Sequence, residues 1–306
     1  MVQEYTYPKT KWLQLINPTP EEISSLVSKY ALDESVAHDI ASPTPQQYVE
    51  AYNGFTYAIF HIPAYKHSHS RSHIQEVDFI IGNDFVITIQ FDTIDALERL
   101  SKEADVTSTL QQETAEDLTA PLIFLQIMQR LYESVDNEIG HLQSTLKDIE
   151  DKIYTGHEKE MVFELSRANR DLLDIKRTII PHEVNFDNLF LLATKTKNKE
   201  FLERTRHLYE KEYKKTRANL LHSIELANTL RETNDSLLFT KQNEIMKVLT
   251  IISFVTFPLS LIASLFGMNT KVLPVVGIDN DFWIITGSMV IATVIMFVLF
   301  KFKRWL

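Results

Sequence analysis

The rhythm of apolar and polar positions falls into three regimes along the chain, and each predicts a different kind of element. Up to about residue 110 the pattern is short and mixed. Trp12 to Ile16 alternates as a strand does. Thr19, Pro20, Glu21 and Glu22 supply an N-cap, a first-turn proline and first-turn acids, which together predict a helix start. A second short helix is expected after Asp33. Three strand-like runs follow, Tyr57 to Ile62, Glu76 to Ile81 and Phe85 to Phe91, and Gly82-Asn83-Asp84 between the last two is a hairpin signal. Asp92 to Arg99 turns helical again. The expected fold class for residues 1–115 is a small α+β domain.

From Thr119 the period becomes helical and stays so. Leu122 to about Tyr154, Glu158 to about Ala193, and Lys199 onward predict three long helices, with Pro181 interrupting the second. Such lengths imply a helical bundle over 116–198 and a stalk helix over 199–244 rather than one small globule.

The last block has almost no polar relief. Ile245 to Phe266 is 22 residues with one charge, Lys247, near its start, and Phe282 to Phe300 is 19 residues with none. Each is long enough to cross a hydrocarbon core of about 30 Å. The expected layout is a first span over 245–268, an outer loop over 269–281, a second span over 282–300 and a basic tail over 301–306. Lys301, Lys303 and Arg304 place that tail in the cytoplasm by the positive-inside rule. Two spans then put the large N-terminal part on the same side. Trp283 and Trp305 sit where interfacial anchors belong. Residues 1–10 contain no apolar signal core, so insertion is assigned to the two C-terminal spans.

Composition changes this picture little. The chain has 306 residues, 24% of them charged, a net charge of −10 and no cysteine. Disulfides and thiolate metal sites are excluded, and the acidic balance argues against nucleic acid as a partner. No nucleophile–base pair, phosphate loop or carboxylate pair stands out, so an enzyme is not expected.

The first span is not uniformly apolar. Steps of three and four trace Asn243, Met246, Thr250, Ser253, Phe257, Ser260, Ser264 and Gly267, a seam of hydroxyls and small residues between Val, Leu and Ile positions. Such a seam either packs against other helices or lines an aqueous path, and spacing alone leaves both open. It carries no acid or imidazole. A path of hydroxyls and an amide suits a cation that keeps its water, as Mg²⁺ does. Met246, Leu249 and Phe257 could close such a path by dewetting. Two spans cannot enclose a pore, so transport requires a closed oligomer.

Asn243 to Ile252, Phe257-Pro258-Leu259-Ser260, Phe266-Gly267-Met268-Asn269 and the tail Lys301 to Leu306 together resemble the CorA family of magnesium transporters. Tyr132 to Ile139 and Leu172 to Arg177 are similar to the family's long helices. The resemblance implies a funnel-shaped homopentamer in the inner membrane, with its first span lining the pore. It implies that Asn269 contributes to a ring of amides that binds hydrated Mg²⁺. Asn243, Met246, Leu249, Ser253, Phe257 and Ser260 match further pore positions, with Phe257 in place of the common Met and Ser260 in place of the usual Thr. The implied partners are other copies of the chain, membrane lipids and Mg²⁺. No covalent cofactor is implied, and Mg²⁺ is both cargo and cytoplasmic regulator.

The family's regulatory stretch on the stalk falls near His207 to Glu210, where the usual Asp position is Leu208. Glu203, Glu210 and Glu212 are the nearby acids that could substitute, although such charges also make an ordinary solvated helix face. His67, His69 and His73 could bind a transition metal, or form a polar hairpin loop. Two other functions stay open: a Zn²⁺, Co²⁺ or Ni²⁺ transporter of the same superfamily, and a membrane-anchored scaffold or sensor that conducts nothing.

Overall fold

The computed structural model describes residues 2–64, 73–110, 118–193, 199–268 and 275–303. It divides into two compact units, Met1–Arg231 and Glu232–Leu306.

In the first unit six strands form one mixed sheet: β1 (Val2–Thr6), β2 (Lys11–Ile16), β3 (Val49–Ala51), β4 (Phe55–Ala64), β5 (His73–Gly82) and β6 (Phe85–Gln90). Their order is β1-β2-β6-β5-β4-β3. Only β2 and β6 run parallel, with Leu13 opposite Ile87. The four predicted strands are present, and the sheet adds β1 and β3 at its two edges. The β5–β6 turn is at Asn83-Asp84, directly after Gly82, where a Cβ would run into the Phe85 ring. Strand β6 is central, so Val86 to Gln90 are buried on both faces.

Two helices cover one face, α1 (Pro20–Tyr30) and α2 (Glu34–Asp39). The sequence sets the start of α1. Thr19 accepts from the Glu22 amide while Glu22 accepts from the Thr19 amide, and Ala31 ends the helix in the left-handed region. Ile23, Leu26, Val36 and Ile40 bury against Leu13, Leu15, Tyr57, Ile80 and Ile87.

The other face carries α3 (Asp95–Leu110), α4 (Ala120–Tyr154), α5 (Glu158–Ile179) and α6 (His182–Ala193). Rings from strand and helix interlock here: Phe79 meets Phe124 edge to face at 5.0 Å, and Phe60 meets Phe186 at 4.9 Å. The break between α5 and α6 falls at Pro181, as its missing N–H and its clash with the preceding turn require. Helix α5 buries Met161, Leu165, Ala168, Leu172, Ile175 and Ile179, a 4-3-4-3-4 seam.

Helix α7 (Lys199–Phe266) is continuous for 68 residues, and α8 (Asp281–Phe302) follows. Within the first unit α7 buries Tyr209, Tyr213, Thr216, Leu220, Ser223, Ala227 and Leu230, again at heptad spacing. Lys215 reaches Asp136 of α4 at 2.9 Å, and Arg206 reaches Asp187 of α6 at 3.1 Å.

Candidate functional site: a hydroxyl seam on α7

In the second unit α7 shows three kinds of surface. Ile251 is only 8% exposed, and Val255, Pro258, Leu259, Ile262 and Phe266 are partly covered. They recur at steps of three and four and so share one face. The other described helix of this unit is α8, and the Phe254 and Phe300 rings join the two at 6.4 Å. On α8 Ile285, Met289, Ala292, Thr293, Met296 and Phe300, all partly covered, likewise share one face.

The seam singled out from spacing lies elsewhere on α7. Of its residues, Asn243, Met246, Ser253, Phe257, Ser260, Ser264 and Gly267 are exposed and Thr250 is partly covered; the nearby Leu249 is exposed too. Ser253, Phe257, Ser260 and Ser264 each stand two residues beyond a covered position. At about 100° per residue that is roughly 200° around the helix. The hydroxyl seam is therefore the face turned away from α8. The remaining surface is exposed Ile252, Phe254, Leu261 and Leu265, and most of α8 is equally bare. Apolar surface of this extent, on two helices long and apolar enough to cross a membrane, is made for lipid and other helices.

Two of the hydroxyls have a defined polarity. Thr250 Oγ1 donates to the Met246 carbonyl at 2.7 Å, and Ser253 Oγ donates to the Leu249 carbonyl at 2.9 Å. Each proton is spent inside the helix, so the oxygen lone pairs remain as acceptors. Acceptors suit a hydrated cation, whose water hydrogens point outward. Phe257 breaks the seam with a large ring that is 78% exposed. Pro258 lies inside the helix without ending it.

At the end of α7 the Gly267 amide donates to the Ala263 carbonyl at 3.0 Å. A Cβ on Gly267 would come within 3.1 Å of that same oxygen, so a small residue is favoured at this last turn. Met268 is exposed. Asn269 lies outside the described residues.

Among the described residues, the other candidates are not gathered into one site. Glu210 is held by Arg206 at 2.7 Å and Lys214 at 3.0 Å. Hydrogen bonds from these two cations keep its carboxyl below the usual carboxylate range. Glu212, two residues on, is roughly 200° around α7. The Glu203 side chain lies outside the described residues, as do His67 and His69 and the side chain of His73. Leu208 is exposed. Among the described residues, no group of three or more His, Asp and Glu could hold a metal ion.

One feature of the first unit was not visible in the pattern. Tyr132 of α4, His182 of α6 and Tyr209 of α7 form a buried polar chain. His182 Nε2 donates to the His61 carbonyl at 2.9 Å, so its Nδ1 is the acceptor of the Tyr132 hydroxyl at 2.6 Å. Tyr132 must then accept from Tyr209. Burial lowers the His182 pKa to about 3, keeping the ring neutral. A tyrosine in a helical seam reads as core, and nothing in the sequence distinguishes these from other buried rings.

Comparison with known proteins agrees with this architecture. Residues 8–304 match the family described as CorA-like Mg2+ transporter protein. The chain is 24% identical over 305 residues to the cobalt/magnesium transport protein CorA of Methanocaldococcus jannaschii, covering 96% of this chain and 91% of that one. It is 23% identical over 309 residues to the protein of the same name from Thermotoga maritima, covering 96% and 83%. The complete structure of the Methanocaldococcus jannaschii CorA magnesium transporter superposes with a TM-score of 0.75 at 21% identity, over 97% of this chain and 92% of that one. An α/β unit, a long helix and two apolar C-terminal helices, together with a match over nearly the whole length, make this chain a member of the CorA-like Mg2+ transporter family.

Proposed function

We propose that the chain mediates Mg²⁺ influx down the electrochemical gradient, as one subunit of a homopentamer whose pore is lined by α7. The observation that carries this reading is the seam of hydroxyls on the face of α7 turned away from α8, with Thr250 and Ser253 left as acceptors. A lipid-facing surface has no use for such a seam, whereas five copies set around an axis give stacked rings of oxygen. A rim of Asn269 amides recognises the ion through its water shell, and the hydroxyl rings pass it on hydrated, since Mg²⁺ loses water reluctantly. Met246, Leu249 and Phe257 form the constrictions that close the path by dewetting. Both termini lie in the cytoplasm, and cytoplasmic Mg²⁺ closes the channel. The membrane potential drives uptake with about 4.6 kcal/mol per 100 mV for two charges, so ATP is not needed.

Reconstitution in liposomes holding a Mg²⁺ dye tests the reading. Asn269→Ala should assemble as the parent does and abolish uptake. Undiminished flux would remove the amide ring from the mechanism, and no flux in the parent under an inward gradient and negative potential would favour a non-conducting scaffold. Two relatives carry cobalt as well as magnesium in their names, which supports Co²⁺ as a second cargo. Competition between the two ions in the same assay measures that preference.

A further inference from the structure

Strand β5 carries two acids, Glu76 and Asp78, in a run that is otherwise buried and mostly apolar. They stand at i and i+2 and therefore share one face of the sheet. Asp78 is 0% exposed and Glu76 is 7% exposed. Each has one oxygen well supplied with donors. Tyr57 donates to Asp78 Oδ2 at 2.9 Å. Glu76 Oε2 accepts from the Thr44 amide at 2.6 Å, from Thr44 Oγ1 at 3.1 Å and from His61 Nε2 at 3.4 Å. The His61 nitrogen also lies 3.0 Å from the Thr44 carbonyl, an obligate acceptor, so it carries a hydrogen.

The other two oxygens are the anomaly. Asp78 Oδ1 and Glu76 Oε1 are both buried, and neither has a hydrogen-bond partner among the described residues. A buried, unpaired carboxylate oxygen is costly, and two beside each other on one strand face are more so. Neither orphan oxygen is reached by a lysine or arginine, and the one imidazole nearby, His61, is directed at Glu76 Oε2. Tyr57 and His61 come from β4. The α2 side contributes Asp39, a third acid, which is itself held by the Tyr48 hydroxyl. One added proton removes the difficulty, because a carboxylic acid donates where a carboxylate only accepts.

We propose that Glu76 and Asp78 form a buried proton-binding site: Asp78 is the neutral acid at physiological pH, and its proton is shared with Glu76 Oε1. The donor set decides which residue is protonated. Glu76 Oε2 already accepts from three donors, while Asp78 accepts from a single tyrosine and has the greater need of a proton. Burial, and then the Glu76 charge, raise the Asp78 pKa well above the ordinary value. The site also fastens the connector between α2 and β3 to β5, through Thr44 and Glu76. Removing the proton would set two anions together in the sheet and weaken that attachment.

The direction in pH follows. A group that binds its proton more tightly when folded contributes stability below the ordinary carboxylate range, and this is lost as pH rises through the folded-state value. Within that window each pH unit changes the folded-to-unfolded ratio by up to about tenfold. The test uses the full-length protein in detergent. At neutral pH the infrared spectrum should contain a protonated-carboxyl band that Asp78→Asn abolishes. The thermal midpoint of the parent should fall between mildly acidic and alkaline pH more than that of Asp78→Asn, whose amide donates to Glu76 at every pH. Glu76→Gln removes the neighbouring charge, and the band should then disappear at lower pH than in the parent. A neutral-pH spectrum without an Asp78-dependent band overturns the proposal, and so does an unchanged titration in Glu76→Gln.

Discussion

At the scale of single residues, exposure and hydrogen bonding separate side chains that look alike in the sequence. Phe257 and Phe254 are both phenylalanines in the first apolar span, but Phe254 meets the Phe300 ring while Phe257 stands bare on the hydroxyl seam. If Phe257 closes the path, Phe257→Ala should raise Mg²⁺ leak into liposomes under conditions that shut the parent, whereas Phe254→Ala should not. His182 gives a second prediction. Its folded pKa of about 3 lies below the ordinary histidine value. The stability it contributes is therefore full above about pH 6.5 and is lost as pH falls toward 3, on the order of a few kcal/mol in all. Urea unfolding in a pH series should show this loss. His182→Phe should be less stable at pH 7, because it removes the acceptor of the Tyr132 proton and the donor to the His61 carbonyl, and should fall off less steeply in acid.

At the scale of elements, local chemistry was legible where an end is capped or a chain is broken. Thr19, Pro20 and Glu22 announce α1, and the structure forms both halves of the capping box. Thr19→Ala should lower stability by about 1 kcal/mol, read by denaturant titration, with Ser in its place restoring most of that. Pro181 announces the α5–α6 break. The edge strands β1 and β3 could not be read in the same way. Val2–Thr6 mixes polar and apolar residues, and Val49–Ala51 has three residues, of which only Val49 is even partly buried. Each is a strand because a neighbour offers unpaired backbone groups, and those neighbours come from elsewhere in the chain. Helix α3 likewise runs to Leu110, past the predicted Arg99. Asp78 gave a local signal, a charge inside a buried strand, whose meaning depended on Thr44, Tyr57 and His61 arriving beside it.

At the scale of the whole molecule, the predictions concern assembly and topology. Bare hydroxyl and apolar faces on α7 and α8 require partners, and the proposed pentamer provides them. Native mass spectrometry in detergent should give five chains, and a monomer or dimer at working concentration would sink the pore. The absence of cysteine makes topology simple to measure. If the topology is as proposed, a membrane-impermeant maleimide added to intact cells should label Asp279→Cys, between the two spans, and leave Glu21→Cys untouched. The reverse labelling would invert the orientation.

The sequence by itself determined the elements whose causes are local: two spans long enough for a bilayer, helices capped or broken by Thr19 and Pro181, and a seam of hydroxyls at three-and-four spacing. Periodicity and caps act within a few residues, so they survive without coordinates. Tertiary structure decided what periodicity cannot carry. It showed that the seam faces away from α8 rather than into it, and that Thr250 and Ser253 give their protons to their own helix. It also paired β2 with β6 across some seventy residues of chain and buried Glu76 beside Asp78. These outcomes depend on which distant segments compete for the same surface, and that competition is settled only when the chain packs.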